Sequence, residues 1–245
     1  MFINKSKINP TLDKINIKRK NNIVYIMYFF YYILFSYLLI NGIYLYNKYF
    51  NRSISKKILE LLDYNVDIIN IDNLPNKLVI IGSHTSIYDF IIGTLFYYAY
   101  LHNKYEAHIL MKKEFESLCS PLLMFFDKKF KLISVSSKKK TEIGLTDQIC
   151  NTLEKKDNYL LFLAPEGTRK CTENLRSGYW YISKKLNIDV CYLGIDYETK
   201  SIMLENNRKV SDTWENEQDE FIKSCKKYVP LYPERCYWTR NFYGK

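Results

Sequence analysis

From residue 77 onward, short apolar runs alternate with longer mixed ones, and this alternation limits the fold more than any other feature of the sequence. Five runs have the length and the β-branched or aromatic content of buried strands: 77–82, 107–111, 130–135, 159–164 and 188–195. Between and after them lie stretches of helical length and spacing: 87–101, 113–126, 141–154, 175–186 and 215–228. Strands of this kind separated by helices predict an α/β fold with a largely parallel sheet flanked by helices. A further strand at 201–204, reached through a turn at 196–200, reads as part of a hairpin.

Before the alternation begins, residues 23–46 (IVYIMYFFYYILFSYLLINGIYLY) carry no charge. As a helix they would span about 36 Å, enough to cross a hydrocarbon layer of about 30 Å. The stretch is rich in tyrosine, which prefers the membrane interface, and Asn41-Gly42 interrupts it. Two forms of membrane attachment therefore stand side by side, a single helix and a re-entrant helical hairpin. Lys14, Lys18, Arg19 and Lys20 precede the stretch, and Lys48, Arg52, Lys56 and Lys57 follow it, so flanking charge does not set an orientation. The chain thus divides into a basic segment at 1–22, a membrane segment at 23–46, a linker at 47–76 with a helix at 55–62, and a main domain at 77–245.

A chain of 245 residues can bury a full core without disulfides or metal. Its six cysteines (119, 150, 171, 191, 225 and 236) form no CxxC pair and no cluster with zinc spacing, and they read as reduced thiols. Lys and Arg outnumber Asp and Glu by 36 to 26, a net charge of +10 that favours an anionic partner. No basic amphipathic helix or zinc module accompanies that charge, so no nucleic acid is expected, and a membrane surface or a phosphorylated substrate fits better.

Two polar clusters stand where a sheet of this kind keeps its functional loops, beyond the carboxyl ends of strands. The first is Gly82-Ser83-His84-Thr85-Ser86-Ile87-Tyr88-Asp89, directly after one strand. On a regular helix, residues five apart point about 140° away from each other. His84 and Asp89 meet only if His84 lies on the turn before the helix and Asp89 within its first turns, with Ser83, Thr85 or Ser86 as the N-cap. Asp89 would then fix the imidazole tautomer and leave the other ring nitrogen free as a base toward a substrate hydroxyl. A capping or buried structural histidine is the commoner meaning of such a residue, and His102 and His108 read that way. The second cluster is Pro165-Glu166-Gly167-Thr168-Arg169, after another strand. Its glycine permits close backbone approach, Thr168 offers a hydroxyl and Arg169 a planar fork for phosphate oxygens. No Gly-x-Ser-x-Gly elbow is present for a serine hydrolase.

Together these clusters resemble the motifs of the glycerolipid acyltransferases, in particular the 1-acylglycerol-3-phosphate (lysophosphatidic acid) acyltransferases. That family's Asn-His-x4-Asp reads here as Ser83-His84-x4-Asp89, and its Phe-Pro-Glu-Gly-Thr-Arg as Ala164-Pro165-Glu166-Gly167-Thr168-Arg169. Lys112-Lys113-Glu114-Phe115 and Ser177-Gly178-Tyr179-Trp180-Tyr181-Ile182 are similar to two further family segments, so the likeness runs from about residue 78 to about residue 202. The family's second motif is poor: 130–138 holds no arginine, and Lys138, Lys139 or Lys140 stands where its charge belongs.

The resemblance implies a glycerol-3-phosphate acyltransferase-like fold for the main domain, with His84 as general base held by Asp89. It implies that Glu166, Gly167, Thr168, Arg169 and Lys138 bind the acceptor. The partners it implies are acyl-CoA as co-substrate, a lysophospholipid and the bilayer, with no metal and no prosthetic group. Acylation of another lysophospholipid or of glycerol 3-phosphate, and a catalytically inactive basic membrane protein, are the alternatives.

Overall fold

The computed structural model describes residues 31, 32, 34, 35, 37, 52–68, 71–112, 129–135 and 144–239. Residues 1–48 and 49–245 form separate units, and the second contains the sheet. In the first, Tyr31, Tyr32, Leu34, Phe35 and Tyr37 are helical, and each is more than half exposed. The rest of the expected membrane segment lies outside the described residues, as does the helix expected at 113–126. Among the described residues, no helix is long and apolar enough to cross a membrane.

The second unit runs α1 (Arg52–Leu61), β1 (Asn65–Ile68), β2 (Lys77–Ile81), α2 (Ile87–Phe96), β3 (Glu106–Lys112) and β4 (Phe130–Val135). It continues α3 (Leu145–Leu153), β5 (Tyr159–Leu163), α4 (Gly178–Leu186), β6 (Asp189–Asp196), β7 (Ser201–Leu204) and α5 (Trp214–Cys225). The seven strands lie in the order β1-β7-β6-β2-β5-β3-β4. All neighbours are parallel except β6 and β7, which form the expected hairpin. Each of the five expected strands is present within a residue or so of its expected bounds.

β2 lies between β5 and β6, and Leu78 to Ile81 are all essentially inaccessible. A strand covered on both faces reads as an unbroken apolar run, which is what made it visible in the sequence. β1 is different. Its residues, Asn65-Val66-Asp67-Ile68, sit at the sheet edge with exposed and half-buried positions alternating, and no apolar run marks them. The sheet therefore begins within the stretch that reads as linker.

Because side chains alternate along a strand, the sheet has two distinct packing faces. Val79, Ile81, Leu161, Val190 and Tyr192 meet Ile149 and Leu153 of α3, Tyr179 and Ile182 of α4, and Phe221 and Cys225 of α5. On the opposite face Tyr97, just past α2, sets its ring edge-on to Phe162 and Phe130. The helix expected at 87–101 is α-helical only to Phe96 and closes in a π turn at Tyr97–Leu101. That turn buries Tyr97, Tyr98, Ala99 and Leu101, and the Tyr97 hydroxyl donates to the Tyr105 carbonyl at 2.9 Å. The aromatic tail packs on the core too: Tyr228 stacks on Tyr192 at 5.7 Å, and Trp238 lies against the same cluster. Cys150, Cys171, Cys191 and Cys225 are free thiols.

Candidate active site

The register of the sheet brings the two polar clusters together. β2 and β5 pair from Lys77↔Tyr159 to Ile81↔Leu163, and the ladder extends one bond further, from Gly82 N–H to Leu163 O at 3.2 Å. His84 therefore leaves β2 three residues past Ile81, and Glu166 leaves β5 three residues past Leu163, side by side at the carboxyl edge.

The first loop ends in a well-formed helix start. Ser86 is the N-cap of α2, in extended conformation, and its hydroxyl oxygen accepts from Tyr88 N–H at 3.1 Å. Asp89, at the third helical position, closes a capping box. Its Oδ2 accepts from Ser86 N–H at 2.8 Å and from Thr85 N–H at 2.7 Å, and it lies 3.4 Å from His84 Nδ1. A chain that caps its own helix with Asp89 thus turns that carboxylate toward the preceding histidine, as the sequence reading required.

Burial pushes the Asp89 carboxyl up, but the bonds from His84, Tyr197, Ser86 and Thr85 together outweigh it and hold the carboxyl below its ordinary range. The His84 side chain is 30% exposed and Asp89 only 9%. With Nδ1 turned to Asp89, Nε2 is the ring atom left for a substrate proton.

Glu166 is the piece that locks the two loops together. Its Oε1 accepts from the Ser83 hydroxyl and its Oε2 from His84 N–H, both at 2.8 Å, and the residue is 2% exposed. Burial raises its carboxyl to about 7 against the opposing effect of those donors. Both oxygens point inward, so Glu166 holds the backbone of the histidine loop. Gly167 follows with φ +61°, and a Cβ there would lie within 2.9 Å of the Arg176 Nε, Cδ and Cζ atoms. The glycine is needed both for its backbone conformation and for the Arg176 side chain that crosses it.

Beyond that point the loop opens to solvent. Thr168 Oγ1 accepts from Lys170 N–H at 3.2 Å. Arg169 is exposed, with no hydrogen bond or ion pair among the described residues. Lys138 lies outside the described residues. Among the described residues, no group of three or more His, Cys, Asp and Glu side chains is placed to hold a metal ion.

Two contributors were invisible in the sequence. Tyr197, immediately after β6, donates its hydroxyl proton to Asp89 Oδ1 at 2.7 Å. Arg235, from the C-terminal segment, donates from Nη1 to the Thr85 carbonyl at 3.2 Å while its guanidinium covers the Tyr232 ring at 3.9 Å. With 23 tyrosines in the chain, residue type pointed to none of them, and only position after a central strand was a signal for Tyr197. Behind Asp89, a cavity of about 10 Å³ is bounded by Ser83, Tyr192, Tyr197, Tyr228 and Trp238, room for about one water molecule.

The acyltransferase family model matches residues 65–186, from β1 to the end of α4. Residues 65–186 of this chain are an acyltransferase-family segment. The match spans both loops of the site. No curated protein matches this chain by sequence. Among solved structures, it is similar to the 1-acyl-sn-glycerophosphate (LPA) acyltransferase PlsC from Thermotoga maritima. The two are 12% identical, with a TM-score of 0.49 over 85% of this chain and 96% of that one.

Proposed function

We propose that this protein moves a fatty acyl chain from acyl-CoA to the free hydroxyl of lysophosphatidic acid, giving phosphatidic acid. The observation that carries the reading is the His84–Asp89 pair, with a capped, ionised carboxylate behind a partly exposed imidazole. In this mechanism His84 Nε2 takes the proton of the acceptor hydroxyl as that oxygen attacks the thioester carbonyl. The tetrahedral intermediate then collapses, the carbon–sulfur bond breaks, and the departing CoA sulfur receives the proton from the imidazolium. Neither an acyl-enzyme nor a metal takes part. Asp89 keeps the ring oriented and balances the transient imidazolium charge.

Half-buried Thr168 and exposed Arg169, which follow Glu166 in the loop after β5, are the proposed ligands of the acceptor phosphate, with Lys138 as a further cation. Gly167 and Glu166 serve the same loop from beneath. Ile87, Tyr88 and Ile91 form an exposed apolar strip on α2 within two turns of His84, suited to an acyl chain. We assign the protein to a membrane on the uncharged stretch at 23–46 and the net charge of +10.

The test uses membranes from cells expressing the protein, labelled oleoyl-CoA and a panel of lysophospholipids with glycerol 3-phosphate. Label entering phosphatidic acid with wild type, and falling by at least about a hundredfold with His84→Ala, is the expected result. Label entering a different acceptor corrects the substrate. Transfer to no acceptor by an intact protein, or transfer unaffected by His84→Ala, rejects the mechanism.

A further inference from the structure

We infer that Tyr197 is a positioning residue for the reaction, the third member of a His84–Asp89–Tyr197 chain; the inference rests on the reading of His84 as the base. The Asp89 carboxylate is gripped on both edges. Oδ2 takes the two amides of the helix start and faces His84, while among the described residues Oδ1 takes the Tyr197 hydroxyl alone, at 2.7 Å. Carboxylate torsions of this kind are broad when left alone, so a donor on each edge sets the plane. That plane decides whether Oδ2 points at the imidazole.

Tyr197 is itself rigidly held, which a helper residue of this kind requires. It sits one residue past β6, the strand beside β2, so its place relative to His84 is set by the sheet. Its N–H donates to Val229 O at 2.8 Å. The preceding residue, Asp196, is 5% exposed and pins the turn, with Oδ1 accepting from Glu198 N–H and Thr199 N–H, and Oδ2 from Val229 N–H. Tyr64, ahead of β1, sets its ring edge-on to Tyr197, with centroids 6.3 Å apart. Among the described residues, the groups whose charge acts on the phenol are Asp89 from α2 and Tyr64 from the segment before β1, while Tyr192, Cys225 and Tyr228 line the small cavity beside it. Burial first, and the hydrogen bond and charge of Asp89 next, raise the Tyr197 hydroxyl far above its ordinary range. The phenol therefore keeps its proton and remains a donor throughout turnover.

Tyr197→Phe removes one oxygen and leaves the ring in place, so Oδ1 loses its donor and the carboxylate turns toward other partners. The expected result is a kcat lower by about tenfold with KM for both substrates unchanged. A second measurement needs no turnover. The chain has three histidines, so the downfield Nδ1–H proton resonance of the His84 ring can be assigned by its loss in His84→Ala. In Tyr197→Phe this resonance moves upfield, toward that of a free imidazole, as the contact with Asp89 weakens.

A kcat that falls while the resonance stays in place means a general packing defect and overturns the inference. So does a resonance that moves downfield, or a variant with unchanged kcat and unchanged spectrum. If wild type transfers no acyl group at all, the proton resonance still decides whether Tyr197 positions Asp89, while the failure belongs to the reading of the reaction.

Discussion

At the scale of single residues, the site depends on two carboxylates that burial treats in opposite ways. Asp89 collects enough donors to stay ionised in spite of its burial, whereas Glu166 collects two and is raised to about 7. For Glu166 the ordinary value is 4.5. Between these values the native state keeps a proton that the unfolded chain has already released. The stability this contributes is complete below the unfolded value and lost as pH rises through the folded one. Glu166→Gln stays neutral at every pH and can still accept from His84 N–H. Relative to wild type, the variant is therefore expected to gain stability on going from pH 5 to pH 8, by up to about 3 kcal/mol. Thermal melts of both proteins at the two pH values measure it, and a constant difference between them rules out a neutral Glu166 at pH 5.

At the scale of elements, the site is three loops on three adjacent strands, and each loop is fixed by its own device. The loop after β2 ends in a capping box, the loop after β5 crosses under Arg176 at Gly167, and the turn after β6 is held by Asp196. Helix α5 packs behind them through an ion pair whose carboxylate is buried and whose arginine, Arg208, stays partly exposed. Glu217 is fully buried and accepts from both Arg208 guanidinium nitrogens at 2.9 Å, from Ser211 N–H at 2.8 Å and from the Tyr179 hydroxyl at 3.1 Å. Glu217→Ala strips four donors of their shared acceptor and leaves the arginine charge without its partner. Because Arg208 is partly exposed and can rehydrate, the expected destabilisation is about 2–3 kcal/mol, read from urea unfolding followed by circular dichroism. A loss below about 1 kcal/mol contradicts this account of how α5 is docked.

For the whole molecule, every strand and every core helix described here lies within residues 49–245. A chain beginning at Tyr49 is therefore expected to fold with the cooperative melt of the full-length protein, since no described core residue lies outside that unit. Full-length protein should stay with membranes through an alkaline carbonate wash, and the shortened one should appear in the supernatant. Shortened protein that remains sedimented after the wash would place the membrane contact on the second unit.

The sequence by itself determined the α/β class, the five main strands and the two polar loops that meet at the carboxyl edge of the sheet. It could do so because central strands buried on both faces leave continuous apolar runs, and because His84, Asp89 and the Glu166–Arg169 run are polar where burial is otherwise uninterrupted. It left β1 unseen, since an edge strand needs no apolar run, and it could not distinguish the inward-facing Glu166 from the solvent-facing Arg169 three residues on. Tyr197 and Arg235 were beyond its reach for a different reason. They lie 108 and 150 residues along the chain from the partners they hold, Asp89 and Thr85. Only the pairing of β6 with β2 and the return of the C-terminal segment bring them there. Local pattern reports which residues must be buried or must turn; contacts across such distances exist only once the sheet has set its strand order.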